Sequence, residues 1–97
     1  MSLNIAKTVA DDSLITLTGR LDTTTAPQLD EALVDVLPVA QKLTIDMTDL
    51  QYVSSAGLRI ILKAHKAMKG NLKLTHVCDA VKEVFEITGF TDFLDFE

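Results

Sequence analysis

A chain of 97 residues with 47% hydrophobic content is long and apolar enough for one self-supporting core, which excludes a disordered chain. A formal charge of -5 argues against direct binding of nucleic acid, which needs a basic face. No apolar run is long enough to insert across a bilayer, and the opening Met1-Ser2-Leu3-Asn4-Ile5-Ala6-Lys7 lacks the layout of a signal peptide. The single Cys78 can make neither an internal disulfide nor a metal site alone, so a reducing, cytoplasmic setting is expected.

Asn4 to Val9 is mildly apolar, Asp11-Asp12 marks a turn, and Ser13 to Thr18 alternates and carries β-branched residues. Together these predict an antiparallel hairpin. Thr25 and Gln28 have the spacing of a capping box, with Pro27 in the first turn of a helix. Leu29, Ala32, Leu33, Val36 and Leu37 form its apolar face, and Pro38 ends it. A strand is expected at Leu43 to Met47, then a helix over about Ser55 to Met68 with Gly70-Asn71 as its stop. Leu72 to Val77 predicts another strand. Asp79 is the expected cap of a third helix, with Val81, Val84, Phe85 and Ile87 inward and Gly89 at its end. The aromatic tail Phe90 to Phe96 is expected to pack, partly as a last short strand. No interdomain linker appears, so residues 1–97 read as one α/β domain. Its sheet is mixed and mostly parallel, with an N-terminal antiparallel hairpin strand and helices packed against it, one face covered more fully than the other.

Catalytic chemistry finds little support. His65 and His76 lie in different elements, neither near a serine in sequence, and a lone His on an apolar face is more often a core residue. Val53-Ser54-Ser55-Ala56-Gly57 is not the Gly-x-Ser-x-Gly elbow of a hydrolase. Gly57 has no phosphate-cradling companions. Asp46 and Asp49 are too ordinary a pair to indicate a metal, and Cys78 reads as a small hydrophobe. No catalytic residue, metal or cofactor is expected. The two serines stand where a strand gives way to a helix. There a hydroxyl can cap the unpaired N–H groups, or the helix end can tolerate an added anion. On spacing alone either serine is first of all a cap. The stripe Arg59, Lys63 and Lys66 reads first as a solvated face.

The stretch from Asp49 to Leu58, with Leu17-Thr18-Gly19-Arg20-Leu21-Asp22, Thr25-Ala26 and Val81 to Gly89 followed by Phe90, resembles the STAS domain family. The anti-sigma-factor antagonists of bacteria belong to that family. The likeness covers nearly the whole chain, in order. It implies a binding module and not an enzyme, with Ser55 as the residue phosphorylated by an anti-sigma factor that is itself a serine kinase. It implies that a metal-dependent serine phosphatase reverses the modification. Asp22 matches the family's acidic residue beside the phosphoserine loop, and the docking surface would comprise Asp22, Thr23, Ser54, Ser55, Ala56, Gly57 and Arg59. Many antagonists carry Asp where this chain has Ser54, and Ser or Thr where it has Ala56. Arg59, one turn beyond Ser55, could pair with a phosphate there or stay a solvated surface residue. The alternative is a constitutive STAS subunit or scaffold of a transport or signalling complex, with Ser55 only a helix cap. A nucleotide-binding role is a third reading, weakened by the missing glycine loop.

Overall fold

The computed structural model describes residues 3–89 and 95–96. Strands β1 (Leu3–Thr8) and β2 (Asp12–Leu21) form the antiparallel hairpin. Then come α1 (Ala26–Val36), β3 (Lys42–Val53), α2 (Ser55–Ala67), β4 (Leu72–Thr75), α3 (Asp79–Ile87) and β5 (Asp95–Phe96). The sheet order is β1-β2-β3-β4-β5, parallel after the first pair. Each crossover therefore moves one strand further in the same direction. Because such crossovers are right-handed, all three helices fall on one face of the sheet.

Burial follows from that arrangement. Ile15 and Leu17 of β2, Leu43, Ile45 and Met47 of β3, and Leu72 and Leu74 of β4 are buried. They join Leu29, Leu33, Val36, Leu58, Ile61, Val81 and Phe85 of the helices in one core cluster. The alternate strand positions, among them Thr16, Thr18, Thr44, Asp46 and Thr75, stay half-buried on the open face. Two cross-ties join α1 to its neighbours: Lys7 Nζ to Asp35 at 2.6 Å, and Lys63 Nζ to Asp30 at 2.9 Å. Both are exposed and add little stability.

Several expectations are corrected. The third strand does not stop at Met47 but runs on to Val53. Two register shifts against β2, between Thr16 and Thr18 and between Gly19 and Arg20, mark bulges there. They let Met47, Leu50 and Val53 all point inward at a spacing of three. Gly19, at φ 108, lies where the second shift occurs, a backbone region open mainly to glycine. Strand β4 ends at Thr75, two residues early, because His76 turns to φ 55. Asp79 is the first residue of α3 and not its cap; the cap position is Cys78, with no side-chain hydrogen bond. Ile87 is 77% exposed, since six residues beyond Val81 the helix has turned to its far side. The expected packing of Phe90 to Leu94 lies outside the described residues, while Asp95–Phe96 does pair as a short strand with Lys73 and Leu74. No helix among the described residues is long and apolar enough to cross a membrane.

Candidate functional site

Parallel strands β2 and β3 end side by side. Arg20 pairs with Tyr52 and Leu21 with Val53, and the Leu21 carbonyl then accepts from the Ser54 amide at 2.8 Å. That last rung sets the turn after β2 against the start of α2, at the carboxyl ends of the strands where open α/β sheets present their binding residues.

On the α2 side, Ser54 is the cap: extended at φ -95 and ψ 173, its Oγ accepts from the Gly57 amide at 3.3 Å. Ser55 is the first helical residue. It is exposed, and its hydroxyl makes no hydrogen bond among the described residues. Sequence spacing left the cap open between the two serines; the geometry divides them, one structural and one presented to solvent. No acidic residue stands in the first turn of α2, so the positive end of its dipole has no side-chain counter-charge there. Ala56 is half-buried against the core and Gly57 fully buried. A Cβ on Gly57 would lie 2.6 Å from Leu21 Cγ and 3.2 Å from the Leu21 carbonyl oxygen. Glycine there lets α2 rest directly on the end of β2.

On the β2 side, Asp22 Oδ1 accepts from the amides of Thr24 at 2.9 Å and Thr25 at 3.0 Å, and lies 3.2 Å from Thr25 Oγ1. These bonds, the Thr25 amide foremost, hold the Asp22 carboxyl below its ordinary value against the opposing effect of desolvation. Asp22 is therefore ionised at neutral pH. Thr25 is 1% exposed and works backwards along the chain: its hydroxyl donates to the Arg20 carbonyl and accepts from the Asp22 amide, both at 2.8 Å. The expected capping box with Gln28 is thus absent, since the Thr25 side chain makes no cap bond to α1. The hydroxyl is already engaged in pinning the Asp22 turn. Thr23 sits exposed at the tip of that turn.

The structure thus brings Asp22, Thr23, Ser54, Ser55, Ala56 and Gly57 to one rim. Arg59 is exposed one turn along α2 from Ser55, with no ion pair among the described residues. The two acidic residues discounted as a metal pair are separate in role. Asp46 accepts from the Thr48 hydroxyl at 2.6 Å and faces His76 Nδ1 at 3.2 Å, which with the Thr48 bonds foremost lowers its carboxyl's pKa. Asp49 stays exposed. Cys78 is half-buried with its Sγ 3.5 Å from the Leu50 carbonyl, in keeping with a packing role.

Sequence reasoning passed over Arg20 and Tyr52 as individuals, although both stand inside the motifs it singled out. The Arg20 guanidinium lies 4.3 Å over the Tyr52 ring. The signal for this pair is the register of β2 on β3, which spacing along either strand does not carry.

Comparison with known proteins agrees with the fold. The family described as "Mlab, STAS domain" matches residues 6–95. An anti-sigma-B factor antagonist of Bacillus subtilis is 31% identical, over 98% of this chain and 91% of its own. The protein of the same name from Listeria monocytogenes is 33% identical, over 98% and 87%. The crystal structure of an anti-sigma factor antagonist from Mycobacterium paratuberculosis superposes with a TM-score of 0.88 at 20% identity, covering 98% of this chain and 85% of that one. With the family spanning almost the whole chain and curated relatives similar along their full length, this protein belongs to the STAS domain family, in its branch of anti-sigma-factor antagonists.

Proposed function

We propose that the protein is a binding module switched at Ser55. Unmodified, it docks on a kinase-type anti-sigma factor and so frees a sigma factor in the cytoplasm. That kinase phosphorylates Ser55 and the complex parts, and a metal-dependent serine phosphatase returns the module to its binding state. Asp22, Thr23, Ser54, Ala56, Gly57 and Arg59 form the surface around the switch. The protein acts by binding and carries no active site of its own.

One observation carries this reading. Ser54 takes the capping role, so the exposed Ser55 hydroxyl is not engaged in holding the fold together. A constitutive scaffold in which Ser55 merely caps α2 has the cap on the wrong residue. The Ser55 site also tolerates a phosphate: the group would stand at a helix N-terminus, whose dipole favours an anion.

The test separates the two serines. Incubated with ATP and the cognate kinase, wild-type protein gains one phosphate by intact mass, and Ser55→Ala gains none while keeping its melting temperature. Ser54→Ala still gains the phosphate but loses about 0.5–1 kcal/mol of stability with its cap. Equal phosphorylation of Ser55→Ala would remove the site assignment.

A further inference from the structure

Arg20 and Tyr52 face each other across β2 and β3, one pair before the end of the strands. Their neighbours Leu21 and Val53 are buried, at 0% and 2% exposure, so Arg20 and Tyr52 point to the opposite, open face of the sheet. Tyr52 is 39% exposed, and the guanidinium is stacked on its ring at 4.3 Å. Among the described residues Arg20 has neither a hydrogen bond nor an ion pair from its side chain. Its Nε is buried and unpartnered. The edge of the guanidinium that carries Nε is therefore closed to an incoming group, which leaves the end formed by the two terminal nitrogens to receive one.

A guanidinium held by an aromatic face, closed along one edge and open at the other, is a rigid fork with two parallel donors. Its complement is a carboxylate arriving end-on. Asp22 feels the Arg20 charge, which helps to lower its carboxyl's pKa, but it does not close on the fork: its Oδ1 is bound to the Thr24 and Thr25 amides and no Asp22–Arg20 ion pair forms. Arg20 lies on the strand that leads straight into the Asp22 turn, and Tyr52 two residues before Ser54, so the fork stands at the same end of the sheet as the switch, on the face away from the helices.

Resting on the Ser55 reading above, we infer that Arg20, positioned by Tyr52, is a second anchor of the docking surface and grips an Asp or Glu side chain of the anti-sigma factor end-on. This gives the phosphate at Ser55 something specific to oppose. A dianion at the start of α2 opposes the partner's carboxylate with like charge. Docking and release then act on one charged contact from two sides.

The test uses the anti-sigma factor that binds unmodified protein and releases it on Ser55 phosphorylation, titrated by calorimetry. Arg20→Lys keeps the charge but loses the fork and the stacking, and should bind about tenfold or more weakly, the usual worth of a hydrogen-bonded charge. Arg20→Gln should lose at least as much and flatten the salt dependence of binding, with melting temperature unchanged in both variants. Tyr52→Leu, which frees the guanidinium without removing it, should fall between them and wild type. Arg20→Glu should be rescued by an Asp→Arg or Glu→Arg change in the partner. Wild-type affinity in Arg20→Lys overturns the fork, and wild-type affinity in Arg20→Gln overturns the anchor altogether. Either result leaves phosphorylation-dependent release, and with it the role of Ser55, standing.

Discussion

Phosphorylated at Ser55, the protein should bind its anti-sigma factor roughly a hundredfold more weakly or worse, while melting at or slightly above the temperature of the unmodified form. Both halves follow from the same position. The phosphate brings about -1.5 to -2 charges and three strong acceptor oxygens to the first residue of α2. In the free protein it meets solvent on one side and the helix dipole on the other, an interaction worth about 0.3–1 kcal/mol at such a site. The first turn of α2 has no acidic residue to repel it. Under a docked partner the same group must shed water without a built counter-charge, at a cost of several kcal/mol. Each 1.4 kcal/mol is a factor of ten in affinity. Calorimetric titration of the two forms reads the first half, and a thermal melt the second. Affinities within a factor of a few would mean that the partner does not cover Ser55.

The second large effect is expected at Gly57. In Gly57→Ala the new methyl must displace Leu21, whose Cγ would be 2.6 Å away and whose side chain is wholly buried, or else lift α2 off the Leu21 carbonyl 3.2 Å from it. That carbonyl also accepts the Ser54 amide, so lifting the helix breaks the rung that seats the cap. Overpacking of this kind costs about 1–3 kcal/mol, against at most about 1 kcal/mol gained from replacing a helical glycine by alanine. The net loss is about 1–2 kcal/mol, a fall of roughly 5–15 °C in melting temperature for a domain of this size. Partner affinity should fall with it, because Ser54 and Ser55 ride on the displaced helix end. A melting temperature that rose would show that helix propensity wins and that Leu21 repacks freely.

The parts of the chain that were legible from sequence are those where local chemistry and tertiary packing ask for the same residue. The helix faces around Leu29, Leu33, Leu58, Ile61, Val81 and Phe85 have an undisturbed 3.6-residue period, and all six side chains are buried. The junction of Val53 with Ser54 and Ser55 was visible because hydroxyls at a strand-to-helix boundary are a cap signal wherever they occur.

What was missed has specific causes. Beyond Met47 the third strand buries every third residue, because its bulges reset the pleat, so a search for alternation ends too soon. Thr25 and Gln28 have the spacing of a capping box, yet the threonine hydroxyl is taken by the Arg20 carbonyl and the Asp22 amide. Local spacing cannot register a competitor five residues upstream. The Arg20–Tyr52 stack depends on which rung of β2 meets which rung of β3, a register that the same bulges displace. These three misses lie within reach of the rim, where the chain departs from regular geometry to present side chains rather than bury them.

The central claim is that a charge added at Ser55 changes what the protein binds and not how it is folded. The amide NMR spectra of unmodified and Ser55-phosphorylated protein test this most directly. The account predicts shifts confined to the rim, Arg20 to Thr25 and Tyr52 to Arg59, with the amides of Leu43 to Met47 and Leu72 to Thr75 left in place. Shifts spread through those central strands, or lost dispersion across the sheet, would contradict it and make the switch a refolding event.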